Sequence, residues 1–141
     1  MMNKDLERAK ELMNKESATL AIVLNDYEEL FFERGVKPLM MLLNRNNDYS
    51  KYSASDRVIG KAAAFLYVNL GIKNIYTDII SEKALDVFNS YGVNVFYQTK
   101  VPLISNRDKT GYCPMETLVL NIDDPKDAYE AIKNKIKEMN K

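Results

Sequence analysis

The sequence contains no histidine and only one cysteine, and these absences exclude several kinds of site. Zinc sites draw on several Cys and His ligands, so we expect no zinc and predict no other cofactor. A carboxylate site for Mg²⁺ stays open. Catalytic Ser-His-Asp and Cys-His groups would lack their base, so a nucleophile would need a lysine, a carboxylate or a helix terminus to activate it. A lone cysteine also cannot form an internal disulfide, which agrees with a reducing compartment.

The chain also lacks an excess of either charge and has no long hydrophobic run. It has 20 basic and 20 acidic residues, so we expect neither a nucleic acid polymer nor an anionic membrane as partner. Its longest apolar runs, such as residues 39–43, are far shorter than a bilayer span. The charged first ten residues contain no signal-peptide core. We therefore expect a cytoplasmic protein.

The length of 141 residues and the 46% hydrophobic content predict a single domain over residues 1–141. Two strand-like runs joined by Asn25-Asp26 predict a hairpin, since these residues tolerate the positive φ of a two-residue turn. A strand over 73–80, a helix over 81–91 and a strand over 93–99 predict parallel pairing with a right-handed crossover. The pattern indicates an α/β fold with a mixed sheet.

A further helix is predicted to begin near Asp56. Ser53 and Asp56 have capping-box spacing ahead of residues 57–70, and Gly71 follows as a stop signal. Apolar residues lie on both sides of this helix, so we expect it to be largely buried.

Two cations at the start of this helix indicate an anion site. Arg57 and Lys61 are four residues apart and share one stripe, where positive charge opposes the helix dipole. With the unpaired amides of a helix start they could hold a phosphate or a carboxylate. The alternative is that Lys61 reaches solvent past its apolar neighbours or pairs with Asp56.

The segment "NRDKTGYCPME" holds the cysteine. Pro114 favours the first position of a helix, so Cys113 is predicted at the N-cap. The positive end of a helix favours the thiolate and hence reactivity. The alternative is a small packed hydrophobe, the commoner role of a lone thiol. Glu116 matches the reach-back position of a capping box, and Asn106 and Arg107 form a polar approach to the thiol.

The strings "GVKPLMMLL", "DRVIGKAAA", "SEKAL" and "NRDKTGYCPME", spread over nearly the whole chain, resemble a prokaryotic family with a domain of unknown function, the 1893 family. That family is similar to the cytidine-deaminase-like fold, which implies a three-layer α/β/α arrangement with a mixed sheet between helices. The resemblance places the zinc motifs of true deaminases at the helix starts near Asp56 and Ser81. Neither the His/Cys-x-Glu nor the Pro-Cys-x-x-Cys motif is present, so the resemblance implies the fold and the pocket but no deaminase activity.

Three functions follow as expectations. The first is a binding module for a small anionic or nucleotide-like ligand between the two helix starts. The second is an enzyme in which Cys113 is a nucleophile or redox group and Glu116 or Asp56 transfers protons. The third is a structural subunit, because a homo-oligomer is expected from the fold relatives. The expected ligand-binding residues are Asp56, Arg57, Lys61, Ser81, Asn106 and Arg107.

Overall fold

The computed structural model describes residues 1–105 and 113–140, which form a sheet covered by helices. The strands are β1 (Leu20–Leu24), β2 (Tyr27–Phe31), β3 (Ser53–Ile59), β4 (Asn74–Ser81) and β5 (Asn94–Val101). The helices are α1 (Lys4–Lys15), α2 (Lys37–Asn44), α3 (Lys61–Leu70), α4 (Glu82–Ser90), α5 (Pro114–Leu118) and α6 (Pro125–Met139). None of the helices in these described ranges has both the length and the hydrophobicity needed to span a bilayer.

The sheet is mixed and has the strand order β2-β1-β3-β4-β5. β1 pairs antiparallel with β2 and β3, whereas β3, β4 and β5 are parallel. α3 and α4 form the crossovers that parallel pairing requires. Ile59 lies opposite Ile80 in the register of β3 and β4. The two helices that follow these strands therefore begin side by side at one edge of the sheet.

Helices cover the two faces of the sheet unequally. On one face, the described elements include only α1, whose buried residues pack against β1 and β4. The other face carries the larger core, to which α2, α3, α4 and α6 contribute. Eight of the ten residues of α3 are buried, so this helix lies at the centre of that core. The arrangement has the three-layer character expected of the α/β class.

Several predicted elements are confirmed. Asn25 has the positive φ of 54° expected in the turn between β1 and β2. Ser81 caps α4, because its Oγ accepts a hydrogen bond from Ala84 N at 3.1 Å. The parallel pairing of β4 and β5 confirms the strand-helix-strand unit. The α/β class is thus confirmed, while the cytidine-deaminase-like assignment stays a prediction.

The predicted helix start near Asp56 is wrong. Residues 53–59 form β3, and α3 begins only at Lys61. β3 is an inner strand that hydrogen-bonds to β1 on one side and β4 on the other. Pairing on both sides outweighs a local capping signal, since tertiary context commonly overrides local propensity. Asp56 and Arg57 therefore lie on a strand and not at a helix N-terminus.

Candidate functional site

The candidate site is centred on the junction between β3 and α3. β3 ends at Ile59, Gly60 is the N-cap of α3, and Lys61 is its first residue. Gly60 has no side chain that could accept hydrogen bonds from the first amides of the helix. Because buried N–H groups are almost always bonded, these amides need an acceptor from elsewhere in the chain.

Glu116 supplies that acceptor. Its carboxylate accepts hydrogen bonds from Lys61 N at 2.7 Å and from Ala62 N at 2.9 Å. The residue is only 9% exposed, and the positive end of α3 stabilises its negative charge. The predicted reach-back to its own helix is wrong, because Cys113 N donates to Ile104 O instead. Glu116 caps α3, and its catalytic role stays a prediction.

Close contact with this carboxylate explains the glycine at position 60. A Cβ added to Gly60 would lie 2.5 Å from Cδ and 2.5 Å from Oε1 of Glu116. Non-bonded carbon atoms are normally about 3.5–4.0 Å apart. A larger residue would therefore displace the carboxylate from the helix amides, so Gly60 and Glu116 form a coupled pair.

A cavity of about 450 Å³ opens beside this junction. The end of β3, the first turn of α3, the connection between β2 and α2, and residues on α5 form its walls. The lining is chiefly apolar with a few charged groups, which is typical of small-molecule sites. Four of the predicted site residues line it, namely Asp56, Arg57, Cys113 and Glu116.

Asp56 has a carboxylate with altered acidity. Its Oδ2 accepts a hydrogen bond from Tyr67 Oη at 2.6 Å, and its Oδ1 accepts from Arg57 N at 2.7 Å. Desolvation by the surrounding protein raises the pKa of Asp56 to about 6, although these hydrogen bonds act in the opposite direction. Burial and the nearby Asp56 charge raise the pKa of Tyr67 well above its ordinary value. Asp56 can therefore exchange a proton close to neutral pH, whereas Tyr67 stays protonated and donates.

Arg57 is largely engaged in holding α1 to the sheet. Its Nε donates to Ala18 O at 3.0 Å, and one terminal nitrogen donates to Met13 O at 2.9 Å. The other terminal nitrogen donates to Asn14 Oδ1 at 2.8 Å and to Asp78 Oδ2 at 3.2 Å. The guanidinium therefore points towards the end of α1. Its predicted role as a cationic ligand contact stays a prediction.

Lys61 and Ser81 lie apart from that cavity. They help to line a space of only about 10 Å³ between the starts of α3 and α4, where Glu116 is also present. Such a space accommodates about one water molecule. The expected convergence of two helix starts is present, but α3 begins at Lys61, and the Glu116 carboxylate already bonds its first amides.

Cys113 is the N-cap of α5, as predicted, and it is partly exposed. Its backbone oxygen accepts hydrogen bonds from Glu116 N at 2.9 Å and Thr117 N at 3.1 Å. The residue lines the 450 Å³ cavity together with Asp56. The predicted contacts Asn106 and Arg107 lie outside the described residues.

The sequence did not point to Tyr67, Glu33 or Arg34. Tyr67 is 0% exposed, and a buried tyrosine hydroxyl usually needs a hydrogen-bond partner. Because its helix was expected to be largely buried, this need was a usable signal in the sequence for its bond to Asp56. Glu33 and Arg34 line the cavity from the connection after β2. Charged residues in a turn usually indicate solvent exposure, and only the tertiary arrangement brings these two to the site.

The described residues offer two kinds of chemistry at the cavity. The carboxylates of Asp56 and Glu116 can accept hydrogen bonds from a ligand, and Asp56 can also exchange a proton near neutral pH. Cys113 adds a partly exposed thiol. Within residues 1–105 and 113–140, no group of three or more metal-binding side chains is placed to hold an ion.

Comparisons with known proteins identify relatives of the chain. A family model described as a domain of unknown function (DUF1893) matches residues 8–136. The crystal structure of a DUF1893 family protein, TM1506 from Thermotoga maritima at 2.70 Å resolution, matches with a TM-score of 0.88 and 28% sequence identity. The match covers 96% of this chain and 92% of that chain. No curated protein matches.

Proposed function

The chain belongs to the DUF1893 family, and we propose that it is a binding domain for a small nucleotide-like molecule that occupies the cavity between β3 and α3. The observation that carries this proposal is the pair of carboxylates, Asp56 and Glu116, in an otherwise chiefly apolar cavity. An ionised carboxylate only accepts hydrogen bonds. The matching ligand therefore combines apolar surface with N–H or O–H donors.

A nucleobase has both properties, since its flat faces are apolar and its edge carries N–H donors. The cavity volume of about 450 Å³ lies within the range of about 300–1,000 Å³ typical of ligand sites. The faces of the base would contact Leu20, Val58 and Ala63, which line the cavity. Its donors would bind to Asp56 and Glu116.

Arg34 supports a ligand that also carries negative charge. It is exposed and lines the same cavity from the segment after β2. A guanidinium at the margin of an apolar site can bind a phosphate through paired hydrogen bonds. The base would thus lie deep in the cavity and the phosphate near Arg34.

The test is ligand-induced stabilisation with a panel of nucleosides and nucleotides. Val58 lines the cavity and is 41% exposed, so Val58→Phe fills the ligand space from a strand position that tolerates aromatic residues. Val101→Phe on β5 is the matched control, because Val101 does not line the cavity. At a ligand concentration of about 100 Kd, stabilisation of about 2.7 kcal/mol is expected.

We expect the wild type and Val101→Phe to show the same rise in melting temperature, and Val58→Phe to show none. Asp56→Asn should weaken binding of the preferred ligand, with Asp26→Asn in the exposed hairpin turn as the control. The proposal fails if no member of the panel stabilises the wild type, or if Val58→Phe responds as strongly as the wild type.

An enzyme that uses Cys113 is a second candidate. The observation that favours it is that the partly exposed Cys113 lines the same cavity as Asp56, whose raised pKa suits proton transfer near neutral pH. Glu116 suits that role less well, since its carboxylate is bonded to two amides of α3. Alkylation of Cys113 by iodoacetamide at pH 7 should then be faster than that of glutathione and slower in Asp56→Asn. Equal rates for the protein and glutathione would remove this candidate.

A further inference from the structure

A second groove lies on the opposite side of the first turn of α3. Its volume is about 400 Å³, and none of its lining residues lines the 450 Å³ cavity. Phe65 of α3 and Val87 of α4 provide apolar contacts. The charged side chains that line this groove are Lys61, Lys83, Asp86 and Asp123.

Lys61 is the unusual residue of the groove. It is only 9% exposed, its Nζ donates to Leu120 O at 3.1 Å, and the ammonium lies 5.6 Å from the centre of the Phe65 ring. An ammonium has three donors, so a single carbonyl leaves it incompletely bonded. Among the ion pairs of residues 1–105 and 113–140, none includes Lys61.

A buried charge that lacks an opposite charge is costly, and a bound anion would offset the cost. The Lys61 residue lines the groove, so an oxyanion bound there would lie beside its side chain. Lys83, in the first turn of α4, adds a second positive charge to the same groove. Two lysines beside one groove match a phosphate or carboxylate group.

The acidic residues of the groove define the rest of the ligand. Asp86 lies three residues after Lys83 on α4, so both side chains lie on one face of that helix. Asp123, just before α6, is the other acidic residue of the lining. Neither aspartate forms an ion pair with either lysine in the part of the chain that the structure describes. A ligand with a hydrogen-bond donor at one end would satisfy these carboxylates.

We infer that this groove is a second binding site, for a small molecule that carries an oxyanion and, at its other end, an ammonium or hydroxyl donor. The oxyanion binds Lys61 and Lys83, and the donor binds Asp86 or Asp123. This inference does not depend on the proposed nucleotide-like ligand, because the two sites share no lining residue.

Three probes separate the two parts of this recognition. Phosphoethanolamine carries both groups, inorganic phosphate only the oxyanion, and ethanolamine only the donor. Each is titrated into the full chain at constant ionic strength, and amide chemical shifts are followed by NMR. We expect phosphoethanolamine to bind more tightly than phosphate, and ethanolamine not to bind. The shifts should be centred on Lys61, Leu120 and the residues of α4.

Variants of the lysines complete the test. Lys61→Met keeps the length and packing of the side chain but removes its charge, and Lys83→Ala removes an exposed side chain. Each should weaken phosphoethanolamine binding about tenfold or more, as expected when a charged hydrogen bond is lost. Lys51→Ala, an exposed lysine of the loop before β3, should bind like the wild type.

Circular dichroism is used to check that each variant is folded. If Lys61→Met is unfolded, Lys83→Ala alone decides the outcome. The inference is overturned if phosphoethanolamine does not bind the wild type, if the folded lysine variants bind it as tightly as Lys51→Ala, or if the shifts lie around the 450 Å³ cavity.

Discussion

The two sides of the first turn of α3 differ in chemistry although the spaces beside them are similar in size. On one side, Gly60 and Ala63 line a cavity of about 450 Å³, and Asp56 also lines it. On the other side, Lys61 and Lys83 face a groove of about 400 Å³. One helical turn thus separates an acceptor-rich apolar cavity from a groove with two cations. The difference shows that one helix start can separate two spaces of different chemistry.

The way this turn is capped explains how it can divide them. Ser81 caps α4 through the amide of Ala84, three residues away. Glu116 caps α3 across a separation of 55 residues and fits only because Gly60 lacks a side chain. The carboxylate thus takes the place that an external anion would need. In the binding that we propose, the ligands occupy the spaces on either side of this turn.

Glu116→Ala should have the largest effect on stability. The variant leaves two buried amides of α3 without an acceptor, at about 1–3 kcal/mol each, so we expect a loss of about 4 kcal/mol. Ser81→Ala, which removes the local cap of α4, should cost only about 1 kcal/mol. Urea unfolding of both variants measures the contrast. Equal losses would mean that Glu116 is no more than an ordinary cap.

The pH dependence of stability should report on Asp56. Its folded pKa of about 6 lies above the unfolded value of 3.8, so the folded state binds more protons in this window. The protonated Asp56 carboxyl therefore stabilises the folded state. This contribution to the free energy of unfolding is complete below about pH 4 and is lost as the pH rises through 6, a change of about 3 kcal/mol.

Asp56→Asn removes this contribution, whereas Asp26→Asn should keep it. Urea unfolding between pH 4 and 7 should therefore show the stability of the wild type relative to Asp56→Asn falling by about 2.5 kcal/mol. A difference that is constant with pH would contradict the desolvation of this carboxylate.

Gly60→Ala tests the contact that admits Glu116. The added Cβ would meet the carboxyl group at 2.5 Å, and we expect a loss of about 2 kcal/mol, as in overpacked cores. In the Glu116→Ala background the same change should cost much less, because the clash is gone. Unfolding of the two single variants and the double variant gives the coupling free energy between Gly60 and Glu116. Strictly additive losses would show that Gly60 and Glu116 act independently.

Lys61→Met should have the smallest effect on stability. It removes one hydrogen bond to Leu120 O together with a buried charge whose desolvation is costly, and these effects oppose each other. We expect a change within about 1 kcal/mol in buffer without oxyanions. A loss as large as that of Glu116→Ala would indicate that Lys61 serves the fold rather than a ligand.

Elements with local signals could be predicted from the sequence. The hairpin at Asn25 and the cap at Ser81 depend on neighbouring residues, and both are present as expected. β3 could not be identified, because the spacing of Ser53 and Asp56 imitates a helix cap while the pairing that makes a strand comes from β1 and β4. Gly60 was an overlooked signal against a helix that begins near Asp56, since glycine is unfavourable inside a helix.

The candidate site was predictable in residue type but not in arrangement. Asp56, Cys113 and Glu116 do line one cavity, whereas Lys61 faces away from it into the groove. Which side of a turn a residue faces depends on where the helix begins, and that start was predicted near Asp56 but lies at Lys61. The role of Glu116 depends on a contact that no local pattern encodes.

The most direct measurement is an NMR titration of the Asp56 side-chain carboxyl carbon between pH 3 and 8, with and without the nucleotide that stabilises the protein most. We predict a titration midpoint at about pH 6 in the unliganded protein and a clear displacement of that midpoint when the nucleotide binds. A midpoint near the ordinary 3.8, unchanged by any nucleotide, would contradict both the desolvation of this carboxylate and its proposed place in a ligand site.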